Sequence, residues 1–232
     1  MTCIYSATAA LSAEEIMEPS WFSSDLHFGH ENIISFCKRR PFANTTEMNL
    51  TIIRTWNEMI EPDAVVWVLG DIALGSIRDT LPLVVSLNGH LVQIPGNHDR
   101  NWRGHGSRTD AWDQRYLDTG FEAILHGDQV LNLTGREVLV SHFPYVDRDA
   151  RYLEYRPVDD GLVLMHGHVH DRWKVSGRML NVGLDAWGGR PVSLAQVSQI
   201  LDLMPLSLWA NAWVSTERPG IHQQLGPNGR RR

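Results

Sequence analysis

The chain has 232 residues, 43% of them apolar and 21% charged, with a formal net charge of −6. That is an ordinary globular composition with enough chain to bury a core, and its acidity excludes general attraction to a nucleic-acid backbone, so a polyanionic substrate needs a local positive centre. No apolar run approaches the ~18 residues of a membrane span, the two cysteines, Cys3 and Cys37, make neither a disulfide framework nor a CxxC site, and the N-terminus lacks the basic stretch of a signal peptide, so a reducing cytoplasm is the expected setting.

Residues 1–19 read as an extension before the first strand, which is expected over 21–25 and ends on a carboxylate. A helix starts near Glu31 and runs to Lys38. Thr45-Thr46-Glu47 opens a second, with Leu50, Ile53, Trp56 and Ile60 at helical spacing. Residues 64–69 are a continuous apolar run of strand length, followed by Gly70-Asp71. A helix over 76–86 is weakened by Pro82. The next strand, 91–94, leads into Gly96-Asn97-His98-Asp99, and residues 100–120 form a polar loop with some helix. Strands are expected over 121–125, 129–133 and 137–140, the last leading into Ser141-His142. Residues 144–160 read as an exposed charged loop. Strand 162–165 precedes His166-Gly167-His168-Val169-His170, strand 178–182 follows, and Ser193 caps a last helix to about Leu203. The tail over 204–232 reads as partly disordered. Strands alternate with helices first and predominate later, which predicts one layered α/β domain over 20–203 with a mostly buried sheet.

Five strand-like runs end in residues that can bind metal: Asp25 and His27; Asp71; Asn97; His142; His168 and His170. In open α/β sheets, ligands bind beyond the carboxyl ends of strands. If these ends are adjacent, three oxygen ligands and four imidazoles meet in one cleft, where two divalent cations would need a bridging carboxylate between them. Mixed nitrogen and oxygen donors suit Mn²⁺ first, with Fe, Co, Ni or Zn as alternatives, and argue against Ca²⁺. The DxH and HxH pairs place both side chains on one side if the segment is extended, and Gly70, Gly96 and Gly167 allow sharp turns beneath the ligands. Two such ions against Asp25 and Asp71 leave about two positive charges, the local centre that an acidic protein needs for phosphate. A bridging water of lowered pKa would then be the nucleophile, with the metals bracing the phosphoryl oxygens. His98 is the candidate acid for the leaving oxygen, with Asp99 beside it as orienter.

These motifs, in this order, resemble the calcineurin-like metallophosphoesterase superfamily. The DLHFGH opening and the Asn181-Val-Gly…Arg190-Pro-Val-Ser-Leu ending look like one bacterial and phage branch of it, over about residues 21–203. The resemblance implies a four-layer β-sandwich flanked by α-helices. It implies one metal held by Asp25, His27, Asp71 and His170, and another by Asp71, Asn97, His142 and His168, with Asp71 bridging. It also implies phosphoester hydrolysis. Branches that act as protein phosphatases or dinucleoside polyphosphate hydrolases carry an Arg in a GDxxDRG pattern; here Ile72-Ala73-Leu74-Gly75 follow Gly70-Asp71.

The expected activity is therefore a phosphodiesterase on nucleotide-type diesters: 2′,3′-cyclic nucleotides, other small diesters or single-stranded nucleic-acid ends. A phosphomonoesterase or pyrophosphohydrolase on the same site is the alternative, and a metal-bound scaffold without turnover is a third reading, against which an intact His98 argues. His30 either lines the site or begins the first helix. His166 is expected in the core or behind the ligands; His90, His105, His126 and His222 on loops or the surface. Trp56, Trp67 and Trp209 are expected as core. Trp102, Trp112, Trp173 and Trp187 lie near motif loops, where core packing competes with base stacking.

Overall fold

The computed structural model describes residues 18–107, 109–147 and 151–204. The N-terminal extension up to residue 17 with Cys3, and the tail beyond Met204 with Trp209 and His222, lie outside the described residues. In chain order the elements are β1 (Trp21–Ser23), α1 (Glu31–Phe36), α2 (Thr45–Asn57), β2 (Val65–Val68), α3 (Ile77–Thr80), β3 (His90–Gln93), α4 (Asp110–Leu117), β4 (Phe121–Ile124), β5 (Gln129–Leu133), β6 (Arg136–Val140), β7 (Val163–His166), β8 (Val175–Ser176), β9 (Met179–Asn181), β10 (Val192–Ser193) and α5 (Leu194–Leu203). Among them no helix is long and apolar enough to cross a membrane.

Two mixed five-stranded sheets result, ordered β10-β1-β2-β3-β4 and β5-β6-β7-β9-β8. In the first, β1 to β4 run parallel and β10 closes the edge antiparallel to β1. In the second, β6, β7 and β9 are parallel, with β5 and β8 antiparallel at the edges.

Strand β2 shows how the layers arise. Val66 and Val68 pack with the helices, where they meet Met48, Ile52 and Trp56 of α2; Val65 and Trp67 point to the other side and join Val138, Val140, Val163 and Met165 of the second sheet. Alternation along an apolar strand thus serves two cores. Helix α5 adds Val197 and Leu201 to the core between the sheets. Helices, sheet and sheet account for three of the four expected layers. The outer face of the second sheet carries a small cluster of Leu139, Tyr145, Leu162 and Leu164, with no helix in it among the described residues.

Local chemistry sets the ends. Asn44 accepts from the Glu47 N–H at 2.9 Å and Glu47 accepts from the Ala43 N–H at 2.8 Å, so α2 begins on reciprocal caps. Ser193 and Gln196 do the same for α5. The buried stripe of α2 is Met48, Ile52 and Trp56; Leu50, expected on it, is 63% exposed. The helix expected over 76–86 splits at Leu81 into α3 and a 3₁₀ turn with Pro82 in its first positions, because proline suits a helix start and not its interior.

Candidate metal centre

The seven expected ligands follow β1, β2, β3, β6 and β7, strands of both sheets, and contacts among their side chains bring them into one cluster. Asp71 is central. Its Oδ2 lies 3.6 Å from His27 Nε2 and 3.6 Å from His142 Nε2, while Oδ1 accepts the backbone N–H of His98 at 2.8 Å. Two sets of donor atoms are close enough to share an ion: Asp25, His27 and His170, and Asp25, Asp71 and His142. Asn97 Oδ1 sits 3.0 Å from His142 Nε2, and the His168 ring centroid lies 5.3 Å from that of His142.

The backbone here departs from the extended form that the DxH and HxH spacing suggested. Asp25, His27, Asp71, His168 and His170 all have φ between 52° and 69°. Non-glycine residues in this left-handed region cost free energy, and such strain persists where surrounding structure enforces it, often at functional sites. Asp25 is held by its N–H to Gly70 O and His27 by its N–H to Asp71 O, each at 2.9 Å. Gly70 makes the expected turn (φ 84°). Gly96 and Gly167 make room instead: a Cβ on Gly96 would lie 2.4 Å from Asp71 Oδ1, and one on Gly167 2.6 Å from Asp25 Oδ2.

Neighbours fix which ring nitrogens face the cluster. His142 Nδ1–H donates to Leu69 O at 2.7 Å, leaving Nε2 inward. His170 Nδ1–H donates to Asp185 Oδ2 at 2.9 Å. Asp185 is clamped by Arg40, with Nε to Oδ1 at 2.7 Å and Nη2 to Oδ2 at 3.2 Å; Arg40 also donates to the backbone oxygens of Leu26 and Asp25. Carboxylates behind ligating histidines orient the ring and raise its basicity. Neither Arg40 nor Asp185 is marked by a motif in the sequence. Both are buried.

The donor set suits a divalent ion. Asp25 Oδ1 and His27 Nε2 are buried and have no hydrogen-bond partner, and such orphaned atoms call for a ligand. Burial pushes His27 to about 4 and His168 to about 3, so both imidazoles are neutral at pH 7. Burial would raise Asp25 and Asp71, but His27, His170 and His142 around the first, and His142, His27 and His98 around the second, hold both carboxyls below their usual range. Neutral imidazole beside ionised carboxylate is the state that coordinates metal.

His98 lies at the rim, 42% exposed, with Nε2 4.0 Å from Asp71 Oδ2. Asp99 does not orient it. Its two oxygens accept from the N–H groups of Asp71, Ile72 and Gly96 and from the Tyr116 hydroxyl, all inside the protein. Asp99 therefore braces the loops beneath Asp71 and Asn97; burial and the Asp71 charge raise its carboxyl to about 6. His30 is the N-cap residue of α1, and its Nδ1 lies 3.2 Å from His27 Nδ1. His166 is fully buried behind the loop, bonded through Nδ1 to Gly167 O. His90 and His126 lie elsewhere, paired with Glu122 and Asp113. Trp56 and Trp67 are core. Trp112 packs against the helix-side core and Trp187 against the inter-sheet core.

No protein-family model matches the chain. It is 35% identical over 191 residues to the Gene 66 protein of Mycobacterium phage D29, covering 74% of this chain and 90% of that protein. It is 32% identical over 205 residues to the Gene 66 protein of Mycobacterium phage L5, covering 81% of this chain and 95% of that one. A solved structure of a protein of unknown function from Aquifex aeolicus superposes with a TM-score of 0.60 at 23% identity, over 78% of this chain and 97% of that one, a likeness of fold.

Proposed function

The chain belongs to the family of the mycobacteriophage Gene 66 proteins, and from the centre it carries we propose that it is a binuclear metal-dependent phosphodiesterase acting on nucleotide-type diesters. The carrying observation is the position of Asp71 Oδ2, 3.6 Å from one imidazole of each expected ligand set. Asp25, His27, Asp71 and His170 would hold one divalent ion and Asp71, Asn97, His142 and His168 the other, with Mn²⁺ foremost. Bound there, the ions supply a water of lowered pKa and polarise the phosphoryl oxygens.

The chain's own groups do the rest. Leu69 O behind His142 and Asp185 behind His170 keep the two imidazoles aimed inward. His98, exposed and close to Asp71, gives its proton to the leaving oxygen as the P–O bond breaks and water's oxygen bonds to phosphorus. The products are a monoester and an alcohol. The stretch after Asp71 is Ile72-Ala73-Leu74, without a guanidinium to grip the second charge of a monoester, which favours diesters.

The test is hydrolysis of bis-p-nitrophenyl phosphate and p-nitrophenyl phosphate side by side, on metal-stripped protein with and without Mn²⁺. Metal-dependent preference for the diester is expected. Preference for the monoester would make this a phosphatase, and inertness across a wider phosphoester panel would make it a metal-bound scaffold.

A further inference from the structure

The wall beside His168 is aromatic. The Phe143 ring centroid lies 4.9 Å from that of His168, and the Tyr152 ring 5.9 Å from it. Trp102 packs 5.7 Å from Phe143 and 5.6 Å from Tyr152, and Tyr155 lies 4.6 Å from Trp102. Four rings thus run outward from one side of the metal centre. Phe143 and Trp102 are buried, Tyr152 is half-buried, and Tyr155 is 39% exposed. Interplanar angles within the set run from 37° to 83°, so none of these rings is already stacked flat on another.

Two details point to a ligand. Tyr152 holds φ 62° and ψ 23°, a left-handed conformation that is strained for a bulky side chain and recurs at binding sites. The Arg151 guanidinium lies 6.0 Å from the Tyr152 ring centroid, so a positive charge accompanies the rings. Trp102, one of the tryptophans near the motif loops, is covered by its neighbours; it backs the wall, and the tyrosines are what it presents.

We propose that this wall is a base-binding subsite, in which Tyr152 and Tyr155 stack on the nucleobase of a nucleotide ester whose phosphate sits at the metal centre. The assignment rests on the phosphodiesterase reading above. Stacking is tolerant of base identity, because every base has a π-face, so the subsite selects nucleotides as a class. Tyr152 meets His168, an expected ligand of the second ion, so the ester arm nearest that ion is the one that meets the rings.

The test uses the full chain loaded with Mn²⁺ and three diesters sharing one leaving group: the p-nitrophenyl esters of thymidine 5′-phosphate, methyl phosphate and phenyl phosphate. The thymidine ester is expected to exceed the methyl ester in kcat/KM by about 5- to 150-fold, the range of one base stack. That ratio should fall close to one in Tyr152→Leu/Tyr155→Ala, and partly in Tyr155→Ala alone, whose exposed site does not threaten folding. A wild-type ratio near one, or a ratio kept in the double variant, overturns the subsite; a phenyl ester preferred as strongly as the thymidine ester overturns the nucleobase assignment. If none of the three is cleaved, the phosphodiesterase reading fails by itself. The subsite is then read from equilibrium binding of thymidine 5′-monophosphate against methyl phosphate: tighter binding lost in the double variant upholds it, and equal or absent binding of both overturns it.

Discussion

His170 donates its Nδ1–H to Asp185 at 2.9 Å, and this bond leaves Nε2 as the only ring nitrogen available to an ion. Burial disfavours a charged His170, yet the bond to Asp185 and the charge of Asp25 raise its pKa. Asp185→Asn keeps the shape and removes the charge. We expect it to weaken Mn²⁺ binding about 10- to 100-fold, read by calorimetric titration, while Arg40→Met, which leaves Asp185 buried without its cation, should cost about 3–5 kcal/mol of stability in denaturant unfolding. Unchanged ion affinity in Asp185→Asn would show that the charge behind His170 does not tune the site.

His98 contributes two separate things, a side chain at the rim and a backbone N–H to Asp71 Oδ1. Alanine keeps the second. His98→Ala is therefore expected to retain its metals, checked by elemental analysis, while losing about 10²–10⁴ in rate on a diester with a poor leaving group. Wild-type turnover of such an ester would remove His98 from the mechanism.

Asp71→Ala should behave differently, because that carboxylate faces both imidazole sets. Loss of metal content along with activity is the expected outcome. Gly96→Ala should mimic it without touching any donor atom, since the added Cβ would lie 2.4 Å from Asp71 Oδ1 and 2.6 Å from His142 Cε1.

Acid should destabilise the metal-free protein. Burial lowers His27, His30 and His166 to about 4 and His168 to about 3, against about 6.5 when unfolded. Between those values the unfolded chain binds more protons, so stability falls as pH drops from 6.5 towards 4. Asp99, raised to about 6, and Asp128, also raised, act in the opposite sense from pH 3.8 upward, and the raised His170 does so around pH 6.5, three groups against the four lowered imidazoles. Thermal melts of stripped protein should lose midpoint steadily across this window; a flat profile would mean that these imidazoles charge without penalty.

Much of this was legible in the sequence because strand ends and metal-capable residues coincide: Asp71 follows an apolar run that can only be buried, and so does Asn97. The two-residue strands β8 and β10 were not, being too short to show alternation. Arg40 was hidden because Lys38-Arg39-Arg40 reads as a solvated basic run, although its third member is buried. Asp185 has no fixed spacing to the histidine it serves. The DxH spacing fits a strand, but left-handed backbone brings Asp25 and His27 together instead. The orienting role expected of Asp99 fails because adjacency in sequence says nothing of direction; its carboxylate turns inward to the backbone amides of three other residues.

The expected ligands divide along the chain. Asp25, His27, Asp71 and Asn97 follow strands of the first sheet; His142, His168 and His170 follow strands of the second. A bound metal pair would therefore rivet the seam of the sandwich, and neither half could assemble the centre alone. Cutting the chain in the turn between β4 and β5 would give two fragments that share the inter-sheet core and whose reunion a bound ion would strengthen, making metal the switch of a split reporter.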